Sequence, residues 1–389
     1  MIKNIKAREI LNSKGNFTVE VELETDQGVF RASCPSGSSK GINEAVEIEA
    51  SEAVENVNEI IGPKLKRKSP LKQREIDEIM IELDGTENKS KLGANAILPV
   101  SLAVCRAGAA AKKLPLYQYI NELLPSPTFA GFPRPCFNII NGGVHSGSDL
   151  NIQEFMVIPN KESFSENLRI GSKVYHDLKQ VLVKIFGKQA INVGDEGGFV
   201  PPISLTNEAL GLLKGTEIGL DCAASQFYKN DRYQLDGTVF SQDGLMNFYH
   251  NLVGAYPIIF LEDPFGESDW ESFQEITGKF GKKIIIFGDD ILTTNIERMK
   301  EAKKREACSG AVIKPNQIGT LTETFEAIKL ARSFGWKIMV AHRSGETGDD
   351  FIADLAVGIS ADFIKAGAPA RGERIAKYNR LLKIEDELK

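Results

Sequence analysis

"IIFLEDPF" (residues 258–265), "IIIFGDD" (284–290) and "AVIKPNQ" (311–317) share one design: a short apolar run that ends in charge. Apolar runs without alternation suit strands buried on both faces, as in a parallel sheet covered by helices. Six further runs after residue 135 repeat the design: "FNIINGG", "EFMVIP", "INVGDEGG", "IGLDCAAS", "KIMVAHRS" and "DFIKAGA". From Glu196 onward the charged tips fall 23 to 41 residues apart. Stretches of helical spacing separate most of them, such as "TLTETFEAIKLARSFG" (320–335). Strand–helix alternation at this spacing predicts parallel strands with helical crossovers, and about eight units predict a closed α/β barrel. An open doubly wound sheet is the alternative; the absence of a G-x-G-x-x-G turn after a strand weakens it.

The first third reads differently. In "FTVEVELETDQGVFRASC" (17–34), Val19, Val21 and Leu23 alternate with polar residues and lead through "DQG" into "VFRAS", the pattern of a hairpin. Helical spacing follows over 43–61, 71–83 and the Ala-rich 93–112. The segment "LLPSPTFAGFPRP" (123–135) holds four prolines and reads as a linker. An N-terminal α+β cap domain over 1–126, followed by a barrel over 127–389, is therefore expected.

Composition sets outer limits. The chain has 389 residues, 42% hydrophobic and 26% charged, with a net charge of −6. That balance argues against nucleic acid or an anionic membrane as partner. The most apolar stretch, "AILPVSLAVCRAGAAA" (96–111), is broken by Pro99 and Arg106 and reads as a buried helix rather than a span. The start carries charges every few residues, unlike a secretory signal. Cys34, Cys105, Cys136, Cys222 and Cys308 form no C-x-x-C motif, which suits reduced thiols in the cytoplasm.

In order, the tips are Asp195/Glu196, Asp221, Glu262/Asp263, Asp289/Asp290, Lys314, His342/Arg343 and Lys365. Side chains alternate along a strand, so one member of each acidic doublet should face the barrel mouth and the other pack outward or cap a helix. Converging carboxylates repel and call for a cation. Oxygen ligands without His or Cys favour Mg²⁺ over Zn²⁺, and Asp221, Glu262 and Asp289, on successive tips, are the natural ligand set. Lys314 and Lys365 should each lower the other's pKa, as befits a general base. Arg343 with Ser344 offers a fork for phosphate or carboxylate. Acid on one side and base on the other suit a small-molecule phosphorylated carboxylate and removal of the proton beside its carboxylate.

Taken together, "PSGSSKG", "NIINGGVHSGSDLNIQEFMVIP", "VGDEGGF", "LEDPF", "KPNQIGTL", "AHRSGETGDDFIADLAVG" and "IKAGAPARGERIAKYNRLLKIEDEL" resemble the enolase family nearly end to end. The resemblance implies a TIM-like, enolase-type barrel of irregular topology and the reversible dehydration of 2-phosphoglycerate to phosphoenolpyruvate. It makes Lys314 the base at C2 and Glu196 the acid toward the C3 hydroxyl. Glu154 supports that acid; Gln153, His145 and His342 line the pocket. Arg343 and Ser344 hold phosphate, and Lys365 holds carboxylate. Two Mg²⁺ ions per site are implied, the second entering with substrate and bound by Ser39 on a mobile lid over 35–42. A cytoplasmic homodimer or higher homo-oligomer is implied as well. Lys40 stands where the family usually has Thr, and "LNSKGNF" replaces its "LDSRGNP". A carboxylate beside Glu196, from Glu154 or Asp195, should raise its pKa and keep it protonated. A dehydratase of another carboxylate and a non-catalytic binding protein on the same fold are the alternatives.

Overall fold

The computed structural model describes residues 1–38, 41–124, 131–213 and 215–389. Ser39, Lys40 and the expected boundary at 126/127 lie outside them.

The chain opens on an antiparallel sheet of β1 (Ile2–Leu11), β2 (Phe17–Thr25) and β3 (Gly28–Ser33) in that order. The expected hairpin is β2–β3. Strand β1 was hidden in the sequence because its outer face is so heavily charged. Val19, Val21 and Leu23 are fully buried on the inner face, where helix Ala94–Lys112 packs across β2 and β3. This helix is long and apolar enough to cross a bilayer, but 83% of its apolar window is buried inside the fold. It runs through Pro99 and Arg106 without a break.

The helix expected from residue 43 begins only at Ala50 and passes through a π-helical turn, Asn56–Ile61, to Leu65. Residues 45–48 instead form an extended strap. Ala45 N–H bonds Gln317 O (2.8 Å), Val46 N–H bonds Asn88 O (2.8 Å), and Ile48 N–H bonds Asn95 Oδ1 (3.1 Å). Those tertiary partners outweigh helical periodicity, and the bond to Gln317 ties the strap to the barrel.

Helix Gln73–Asp84 meets the barrel through Asp77, which is fully buried and accepts hydrogen bonds from Thr322 N–H (3.0 Å) and Oγ1 (2.6 Å). Burial lifts its carboxyl from 3.8 to about 6, against the pull of the Thr322, Ser101 and Gln73 bonds. A raised folded-state pKa means that the group favours folding below pH 4, and that this contribution is lost as pH rises through about 6. Lifting a carboxyl that far corresponds to about 3 kcal/mol. The urea midpoint of the wild type should therefore fall relative to that of Asp77→Asn between pH 4 and 6.5; parallel curves would reject the assignment.

The barrel comprises β4 (Arg134–Asn141), β5 (Glu154–Ile158), β6 (Glu217–Asp221), β10 (Ile258–Glu262), β11 (Ile285–Gly288), β12 (Gly310–Ile313), β13 (Lys337–Ala341) and β14 (Phe363–Lys365). Between β6 and β10, the short strands β7 (Tyr228–Lys229), β8 (Arg232–Leu235) and β9 (Thr238–Phe240) form a separate sheet. The barrel closes in the order β10-β11-β12-β13-β14-β4-β5-β6.

Two expectations are corrected. β5 runs antiparallel to both neighbours, because residues 142–153 supply no crossover helix to return the chain to the other end. Its first residue, Glu154, consequently pairs with Asp221 at the rim where the other strands finish. The second correction concerns "INVGDEGG", which is not a barrel strand. Residues 194–198 form a turn clamped to the end of β4: Phe199 N–H bonds Ile139 O (2.8 Å), and Asn141 N–H bonds Phe199 O (2.9 Å). Gly197 sits at φ +85°, which lets this turn close.

Inside the barrel, Cys136, Met156, Phe260, Phe287, Val312, Met339 and Phe363 form a core of their own. Phe260, Phe287 and Phe363 meet edge to face at 5.3–5.9 Å between ring centres. Two residues beyond Phe260, Phe287, Val312 and Phe363 stand Glu262, Asp289, Lys314 and Lys365, so alternation carries these four into the mouth.

Candidate active site

The described residues of the expected site gather at this rim, all of them buried except the half-buried Lys314. Lys365 lies at its centre, with Nζ 3.1 Å from Glu154 Oε1, 3.0 Å from Asp221 Oδ2 and 2.7 Å from Glu262 Oε1. Gln153 Nε2 donates to Asp221 Oδ2 at 3.2 Å. Asp289 is held by Lys314 on one oxygen and by Gln317 Nε2 on the other (2.9 Å). As expected for the doublets, Asp263 points away from the mouth. Its carboxylate accepts the backbone N–H groups of Asp289 (3.0 Å) and Asp290 (2.7 Å) and so fixes the next tip.

Asp221, Glu262 and Asp289 do not close on a common point. Lys365 separates the first two, and Lys314 draws the third aside. Among the described residues, the groups whose ligand atoms all lie within 4.8 Å are His145/Glu154/Glu196 and Asp263/Asp289/Asp290. The oxygen donors nevertheless fit a hard divalent cation: Asp221 and Glu262, together with Glu154, already gather round one positive charge, the Lys365 ammonium.

Across the mouth, Glu196 is caged. Asn138 Nδ2 donates to Oε2 at 2.8 Å, and Asn141 Nδ2 stands at 3.4 Å. His145 Nδ1 and His342 Nε2 lie 3.3 and 3.5 Å from Oε1. Arg374, wholly buried, places Nη1 2.6 Å from His342 Nδ1 and 2.6 Å from the carbonyl of Arg343. An arginine only donates, so His342 Nδ1 accepts and the ring proton sits on Nε2, facing Glu196. His145 is itself buried, with Nδ1 turned toward Glu196.

The electrostatics reverse two expectations. Burial raises Glu196, but His145, His342 and Arg374 outweigh it and hold the carboxyl well below its usual range. Glu154 is the partner pushed well above, by burial and then by Glu196. The two carboxyls of this pair are thus pushed in opposite directions, Glu154 up and Glu196 down. Lys314 is raised as well: burial, Arg343 and Lys365 lower it, but Asp289 prevails.

Arg343 is already engaged: Nη1 bonds Glu44 Oε2 at 2.9 Å and Nη2 bonds Oε1 at 3.2 Å. Segment 35–38 lies over it. Ser36 and Gly345 exchange backbone hydrogen bonds of 2.8 and 2.9 Å, and Ser38 N–H bonds Ser344 Oγ at 2.8 Å. Gly37 passes so close that a Cβ there would fall 1.8 Å from Arg343 Nη2. Phosphate at this fork would have to share or displace Glu44.

Residues 130–389 match the family model for the enolase C-terminal TIM barrel domain, and residues 2–120 match the model for the enolase N-terminal domain. The chain is 49% identical to Enolase B of Dictyostelium discoideum, over all of this chain and 95% of that protein. The chain belongs to the enolase family. An enolase is a metal-dependent hydro-lyase that dehydrates 2-phosphoglycerate. Several rim residues of this enolase carried no recognisable signal. Asn138 and Asn141 lie in the quoted "NIINGG", three apart, where the sequence reading singled out neither. Glu44 and Arg374 could be recognised only once their partners were known.

Proposed function

We propose that this chain interconverts 2-phospho-D-glycerate and phosphoenolpyruvate, with Lys314 taking the C2 proton and the Glu154–Glu196 pair delivering a proton to the departing C3 hydroxyl through Glu196. One observation carries the assignment. Lys314 follows β12 and Glu154 begins β5, and these strands stand four apart either way round the closed barrel. Glu154, partner of the proposed acid Glu196, thus begins on the wall opposite Lys314, which supports a substrate between them losing a proton toward one wall and a hydroxyl toward the other. His342, with Nε2–H directed by Arg374, and His145 hold Glu196 in place. Lys365 is the residue proposed to meet the substrate carboxylate, and Arg343 with Ser344 the phosphate. Gln153, beside Glu154, lines the same wall.

Asp221, Glu262 and Asp289 are the residues proposed to hold Mg²⁺, with a second ion entering with substrate and bound through Ser39. Bound there, the metal supplies positive charge to a carboxylate that becomes a dianion when C2 loses its proton. The proposed units are a cap over 1–126, with a lid over 35–42, and a catalytic barrel over 127–389. The buried cysteines, scattered and without a C-x-x-C motif, support a cytoplasmic location, and assembly is proposed as a homodimer or higher homo-oligomer.

The test is phosphoenolpyruvate formation from 2-phosphoglycerate by chelator-treated protein. Turnover should be lost on chelation, by more than about 10²-fold, and restored by added Mg²⁺. Folded protein that gives no Mg²⁺-dependent turnover would overturn the reading.

A further inference from the structure

We propose that Lys14 is a positioning residue that fastens segment 35–38 to the turn carrying Glu196. The inference rests on Glu196 acting as the acid.

Lys14 projects from a turn between β1 and β2 that is built to hold still. Asn12 Oδ1 accepts the backbone N–H groups of Lys14 (2.9 Å) and Asn16 (3.2 Å), closing the turn on itself. The turn is also pinned to the barrel. Ser13 N–H bonds Glu346 O at 2.7 Å, Glu346 N–H bonds Ser13 Oγ at 3.0 Å, and Ser13 Oγ–H bonds Ser344 O at 3.2 Å.

From that base, the ammonium reaches two other segments at once: Ser38 Oγ at 2.5 Å and Asp195 Oδ2 at 2.7 Å. Ser38 Oγ also lies 2.7 Å from Ser344 Oγ, at the proposed phosphate fork. Asp195 directly precedes Glu196, and its carbonyl accepts from Arg374 Nη2 at 2.9 Å. A lone ion pair of this exposure, with both side chains 28% accessible, would contribute little. Here one cation joins three segments far apart in sequence, at the edge of a cavity of about 690 Å³ that is also lined by His145, Asp195 and Arg371. The ammonium has three donors, so both acceptors are served simultaneously. Docking of 35–38 over Arg343 and placement of Glu196 are thereby coupled: when one segment moves, the other loses its partner.

The experiment compares wild type, Lys14→Met and Lys14→Arg as full-length protein. Amide hydrogen exchange is read in the ligand-free state at 30–38 and 192–198, together with kcat and KM for dehydration. Lys14→Met should keep its thermal midpoint, exchange at least fivefold faster at both segments, and lose about tenfold in kcat with a KM raised about tenfold. Lys14→Arg, whose planar fork also presents several N–H donors, should recover most of both. Were Lys14→Met not to fold, Lys14→Gln would replace it, keeping a donor for Ser38 while losing the charge toward Asp195. Unchanged exchange at both segments would overturn the proposal, as would faster exchange with kcat and KM within twofold of wild type. A wild type without any dehydratase activity would instead defeat the proposed function; the exchange comparison would still decide whether Lys14 ties the two segments.

Discussion

Lys314→Ala is expected to lower turnover of 2-phosphoglycerate by about 10⁴-fold, at the upper end of what a positioned base supplies. The side chain is poised in a buried, strongly charged setting. Burial, Arg343 and Lys365 all favour the neutral amine, whereas Asp289 favours the ammonium and prevails. Any charge that competes for Asp289 lets the first three dominate, and the amine then becomes available at the mouth. Alanine removes the proposed proton acceptor at the end of β12, while Arg343, Ser344 and Lys365, the groups proposed to hold substrate, remain. The measurement is exchange of the C2 proton with solvent, alongside dehydration. Both should fall together, with KM changed less than tenfold. Exchange at the wild-type rate would reject Lys314 as the base.

Glu196→Gln should separate the two halves of the reaction. Glutamine keeps the size of the side chain and its bond to Asn138 but cannot deliver a proton to the departing hydroxyl. Phosphoenolpyruvate formation should fall by about 10²- to 10⁴-fold, while C2 exchange, performed across the mouth, persists. Equal loss of both would defeat the division of labour. The same variant examines the reversed pair. The Glu154 carboxyl is raised chiefly by burial and secondly by the charge on Glu196. Removing that charge should lower the Glu154 pKa, visible as a downward shift of its carboxyl titration in carbon-13 spectra.

The barrel was legible because its signal is repetitive. Eight of the nine apolar runs became barrel strands, and alternation from Phe260 to Glu262 and from Phe287 to Asp289 placed the correct member of each doublet in the mouth. The ninth run, around Glu196, is a turn. Its apolar stretch is brief, and its backbone bonds go to β4 instead of to two flanking strands. The Glu196 pKa was misjudged for a related reason. A nearby carboxylate was visible in the sequence, but His145, His342 and Arg374, drawn from three distant segments, act more strongly.

The sequence alone determined the residue types at the ends of the parallel strands from β6 to β14, because strand period and crossover spacing are local properties of the chain. It also determined the chemistry those types can perform: oxygen ligands for a hard cation, a lysine base and a cationic fork. Only the tertiary structure decided which way β5 runs, and so that Glu154 reaches the rim from its strand's first residue. Only there did Glu44 meet Arg343, Lys365 settle among three carboxylates and Lys14 span two loops. Charges and hydrogen bonds act through space over a few ångströms, and the distances that rank them exist only after the chain has closed.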